Sequence, residues 1–167
     1  MLLDLALQVR RLALALLERL AFAPALFARL VIGVVFVGSG WGKLHNLPQV
    51  VEFFASLGIP FPELQAPFVA GTELVCGALV LVGLGTRLFA LPLIGTMIVA
   101  IATAIWPDVE GVSGLFASAE LLYVALLVQL VVYGPGALSV DALVARALAR
   151  ADAPVHRHAH APRAVRA

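Results

Sequence analysis

Three side chains in this sequence are best placed to do chemistry: Lys43, Glu73 and Glu120. Each is set in or at the end of a long apolar run. No charge occurs from Leu30 to Gly42, so Lys43 belongs where hydrocarbon gives way to headgroup. A cation there needs a partner or a route to water. One ammonium and two carboxyls can hold a ligand or pass a proton, one pair ionised and the second carboxyl protonated. The same three groups can also serve as a polar clasp that fixes helix register. Trp41, Lys43 and His45 crowd one short stretch and form a candidate set for a quinone carbonyl. Cys76 follows Glu73 by one helical turn, as a thiol reactant or as a small packing residue.

These residues need elements to position them. The sequence is 62% hydrophobic and 13% charged, about half the charge fraction of soluble domains. A globule of 167 residues cannot bury so much apolar side chain. The expected class is all-α, a transmembrane four-helix bundle with amphipathic cytoplasmic helices at both termini and a short outer interfacial helix. Residues 1–22 read as an amphipathic helix, with Leu5, Val9, Leu12 and Leu16 on one side, suited to lying on a membrane. Asp4 ahead of the arginines, and the short run from Arg11 to Glu18, fit a cleaved signal peptide poorly.

The transmembrane domain is expected over residues 23–138. Pro24 opens the first span, which runs to about Trp41. Arg29, a turn inside, is expected to snorkel to the interface. Gly38 and Gly42 share a face and are expected to admit a neighbouring helix, either within the bundle or from a second copy. Pro48 to Leu57 reads as a helix too short to span, with Val50, Phe53, Phe54 and Leu57 on one face and Gly58 as its stop. The second span is placed at Pro67 to Leu84, the third at Leu88 to Trp106, and the fourth at Leu115 to Tyr133. Ser139 caps an amphipathic helix over residues 139–150. Residues 151–167 form a His/Arg tail expected to be disordered.

Four spans put both termini on one side. All ten arginines among the 11 cations then fall on the terminal side, and Lys43 alone on the other. The positive-inside rule makes both termini cytoplasmic, in a multi-pass cell (inner) membrane protein. Glu73 then lies roughly 9 Å inside the outer face at about 1.5 Å per residue, and Glu120 at a similar depth. Lys43 leaves the first span at that same face, so the three groups converge in the outer leaflet.

Other chemistries are excluded. One cysteine allows no internal disulfide and no CxxC centre. No histidine falls in a span, which removes bis-histidine haem. No phosphate loop or Ser/His/Asp arrangement is present. The net charge of +1 gives no reason to expect nucleic acid. No metal site is assigned, although His45 and the tail histidines His156, His158 and His160 leave weak metal handling as one reading. Redox chemistry would need a diffusible quinone or a partner subunit.

The chain resembles the DoxX family of small four-helix membrane proteins. The likeness is carried by Arg29-Leu30, Gly40-Trp41-Gly42-Lys43-Leu44, Phe54 to Pro60 and Gly71-Thr72-Glu73-Leu74. It continues through Gly83 to Arg87, Glu120, and Tyr133 to Asp141. The resemblance implies a membrane subunit linked to quinone or to thiol and sulfur redox, with Lys43, Glu73, Arg87 and Glu120 matching the family pattern. It also implies a bilayer setting with partner subunits or a homo-oligomer. Many relatives place a histidine near the end of the third helix, where this chain has Ile105-Trp106-Pro107. A non-catalytic scaffold or transport subunit, or a metal-stress partner, is the alternative.

Overall fold

The computed structural model describes residues 2–109 and 111–151. Among these there are helices and connections but no strands. The tail histidines lie outside the described residues. Helix α1 covers Leu2–Arg19, α2 Ala23–His45, α3 Leu47–Ser56 and α4 Pro62–Val82. Helix α5 covers Thr86–Ala100 and continues as a π-helical turn, Ile101–Ile105. Helix α6 is Gly111–Ala117, α7 Ala119–Tyr133 and α8 Val140–Ala151.

Three stretches are long and apolar enough to cross a membrane: one within Asp4–His45, then Pro62–Val82 and Thr86–Ile105. A fourth exists if α6 and α7, bent by 61° at their junction, are taken as one span. Contacts run from α2 to α4, α4 to α5, α5 to α7 and α7 back to α2, with α2–α4 the most extensive. Inside lie Ala28, Ile32, Phe36, Cys76, Val80, Ala90, Leu93, Leu127 and Leu130. Outside, Phe27, Val34, Phe68, Val75, Leu88 and Ile98 are exposed. An apolar shell around an apolar core fits hydrocarbon as solvent. On α1, Leu5, Val9, Leu12 and Leu16 are likewise exposed.

Local signals set most boundaries. Pro24 and Pro48 sit in the first turns of α2 and α3, where the missing N–H costs no bond. Gly58 ends α3 at φ +71°, and the Ile59 N–H returns to the Phe54 carbonyl at 3.0 Å. Ser139 caps α8 by accepting from the Ala142 N–H at 3.1 Å.

Several expectations are corrected. Helix α2 does not end near Trp41 but runs to His45, so Lys43 is a helical residue. Helix α4 starts at Pro62, not Pro67. Pro67 lies inside it, where the lost bond strands only the carbonyl of exposed Glu63. Glu73 is therefore about 16 Å along the helix, near its middle. The stretch expected as the fourth span, Leu115 to Tyr133, is not one helix: it is interrupted at Ser118, whose extended backbone and side chain cap α7 through the Leu121 N–H. Gly38 and Gly42 face open space within this chain, so the alternative in which they face into the bundle is not taken up; the helix contacts inside the bundle are made at Gly33, Gly40 and Gly77.

Arg29 does not snorkel. It is buried, and its guanidinium donates to the Leu138 carbonyl. Its Nη1 lies where a Cβ on Gly83 would stand, so Gly83 must be glycine twice over, since φ there is +77°. Next to it, Asp141 accepts from the backbone N–H groups of Gly85 at 2.8 Å and Thr86 at 3.3 Å. The Asp141 N–H donates to the Gly83 carbonyl at 3.0 Å. One carboxylate thus caps α5 and docks the start of α8.

Candidate functional site

The site begins with the close approach of α2 to α4. At Gly40 a Cβ would stand 2.5 Å from the Leu74 nitrogen and 2.7 Å from the Ala70 carbonyl oxygen. Two backbones meet there, which only glycine allows. One turn deeper, Gly77 admits Phe36 in the same way. Ser39 and Lys43, four apart, share a face beside this contact. Both reach Glu73. Lys43 Nζ donates to Oε1 at 2.6 Å, and Ser39 Oγ donates to Oε2 at 2.8 Å. Glu73 is 1% exposed and the Lys43 side chain 28%. The carboxylate is therefore held by both oxygens, while the ammonium keeps protons for another acceptor.

Beside the pair is a cavity of about 660 Å³. Its walls come from α3 (Val50, Phe53, Phe54), α4 (Phe68, Val69, Thr72) and α5 (Pro92, Gly95, Thr96). Thr103 and Ala104 of the π-helical turn complete it. That turn is marked by the Trp106 N–H bonding to the Ile101 carbonyl at 2.7 Å. Such turns inside α-helices are frequent at functional sites. The short α3, held over α4 by Phe54, Ile59 and Ala66, closes the cavity on one side. Thr96 and Thr103 spend their hydroxyl protons on Leu93 and Val99 carbonyls. They can only accept from a ligand. Volume and mostly apolar lining are those of a small-molecule pocket.

The expected residues do not all gather here. Lys43 and Glu73 do. Glu120 is half-buried in the first turn of α7, bonded to neither of them, and does not line the cavity. The cap at Ser118 leaves it at a helix start, where the macrodipole favours its charge. Trp41 and His45 pack on each other, ring centroids 4.4 Å apart, and His45 Nδ1 donates to the Trp41 carbonyl at 2.9 Å. Both are exposed and outside the cavity, so Lys43 alone of that set faces it. Cys76 packs in the core. No group of three His, Cys, Asp or Glu side chains that could hold a metal occurs among the described residues. Ser39 escaped the sequence reading; a serine four residues before the lysine in an apolar helix was its signal.

The DoxX family model matches residues 25–106. The uncharacterized membrane protein Rv3486 of Mycobacterium tuberculosis is 36% identical over 124 residues, covering 68% of this chain and 76% of that one. This chain belongs to the DoxX family. Further DoxX-type similarity is to the inner membrane protein YqjF of Escherichia coli, 27% identical over 128 residues, 77% of this chain and 97% of that one. The putative oxidoreductase CatD of Bacillus subtilis is 39% identical over 77 residues, 44% of this chain and 56% of CatD. No solved structure matches significantly. The chain is thus a DoxX-family membrane protein with apolar helices of spanning length.

Proposed function

We propose that this protein is the membrane-embedded subunit of a redox assembly, binding a quinone or a small thiol or sulfur compound beside Lys43 and Glu73. The observation that carries the reading is the ion pair opening onto an apolar cavity of ligand size. The name of CatD, a putative oxidoreductase, points the same way. In this reading α6 and α7 together make the fourth span, and both termini are cytoplasmic. A quinone fits the lining: Lys43 would hold its carbonyl, and the phenylalanines of α3 and α4 its ring. It would supply the electron transfer, with the oxidant or reductant on a partner subunit. Lys43 supplies positive charge, and Glu73 exchanges a proton once Lys43 turns from it to the ligand.

The test is turnover of purified assembly with a soluble quinone and a small thiol. Glu73→Gln and Lys43→Gln, each folded, should reduce turnover at least about tenfold, the scale of one general acid–base group. A second reading has its own observation. Both Glu73 oxygens are satisfied by Ser39 and Lys43, as a purely structural clasp requires. Unchanged turnover with a lowered melting temperature would leave the protein as a scaffold or transport subunit.

A further inference from the structure

We propose that the cavity takes an electrically neutral, largely apolar molecule that offers Lys43 a hydrogen-bond acceptor, admitted sideways from the bilayer, and excludes sulfur oxyanions. This rests on the redox reading above and narrows its ligand. Among the described residues, Lys43 and Glu73 are the only charged side chains in the lining, and they already neutralise each other. A sulfur oxyanion such as thiosulfate, a dianion, would bring a net charge of −2 among apolar walls, next to a carboxylate that is 1% exposed. Such a charge is strongly disfavoured without a second cation. Thr96 and Thr103 give no relief, having committed their protons to their own helix, and the Thr72 hydroxyl and the Gln49 and Gln65 amides in the lining are neutral groups that cannot balance a charge. A neutral acceptor meets no such penalty and can take a proton left on Lys43.

The route follows from exposure. Phe53, Phe68 and Val99 line the cavity and are 52%, 72% and 49% exposed. All three lie on the flanks of helices. The mouth is therefore in the side wall, which faces lipid in a bilayer, and an apolar molecule concentrates there. A hydrated anion does not.

Binding to purified protein in nanodiscs, against empty nanodiscs, tests this with decylubiquinone as the neutral probe and thiosulfate as the anionic one. Decylubiquinone should bind saturably and thiosulfate should not. Gly95→Phe should weaken decylubiquinone at least about tenfold. Gly95 lines the cavity and has nothing within 4 Å of an added Cβ, so the ring fills space without forcing the fold. Decylubiquinone binding that ignores Gly95→Phe overturns the proposal. Thiosulfate binding to the unmodified protein, blocked by Gly95→Phe, overturns the neutral ligand and leaves the redox reading standing. Binding of neither probe overturns both.

Discussion

Gly40 and Leu74 stand backbone to backbone: a Cβ on the glycine would fall 2.5 Å from the leucine nitrogen. That contact, not the more conspicuous pair Gly38 and Gly42, sets how near Lys43 and Ser39 come to Glu73. Gly40→Ala should force the helices apart and destabilise by about 1–3 kcal/mol. Gly38→Ala and Gly42→Ala should be neutral or stabilising by up to about 1 kcal/mol, since both face open space. Melting temperatures in one detergent compare the three.

Lys43→Gln strands a buried carboxylate. The expected loss is about 3–5 kcal/mol. Adding Glu73→Gln should return much of it, because the uncompensated charge is then gone. A double-mutant cycle measures the coupling; additive effects would mean that the 2.6 Å pair is not formed in the protein.

Ser39→Ala frees one oxygen of Glu73. The expected loss is about 1–3 kcal/mol, the range for a hydrogen bond to a charged group that is left short of a partner. Ser56→Ala, whose hydroxyl is exposed, is the matched control and should change melting little.

At the opposite end, Asp141→Ala leaves the Gly85 and Thr86 N–H groups without their acceptor. The loss should be about 2 kcal/mol. It should also speed hydrogen exchange at α8, whose start hangs on the same residue. Gly83→Ala should be worse than Asp141→Ala, because it meets both a positive φ and the Arg29 guanidinium.

Phe61 is the one non-glycine residue with positive φ among the described residues, at +51°, and it is 76% exposed. Its side chain is not holding a core together. Phe61→Gly should stabilise the protein by about 1 kcal/mol. A loss of ligand binding at higher stability would tie that strain to the site.

Prolines, glycines and a serine announced most helix ends, because each acts on its own backbone. Pro24, Pro48, Gly58, Gly83 and Ser139 all behave as their types dictate. The misreadings came where two such signals competed. Pro62 and Pro67 are both suited to a first turn, and only the packing of Ala66 and Ala70 makes the earlier one the start. Ser118 looked like a residue inside a span, but its side chain serves better as a cap. Within the site, the Lys43–Glu73 pair was legible from charge and chain direction. Ser39, Gly40 and the α3 wall were not, since each depends on how far α2 and α3 rotate about their axes. Sequence spacing leaves that rotation free. The place of Glu120 failed for a related reason: the bend of 61° lies between it and the depth its position suggested.

The π-helical turn at Ile101–Ile105 holds one residue more than an α-helical register would. Deleting a single residue there would restore the ordinary helix. It would also swing Thr103, Ala104 and all that follows by about 100°. The cavity wall would change while α2, α4 and their clasp stayed as they are. A one-codon event at this turn could therefore give a relative a new ligand on an unchanged scaffold.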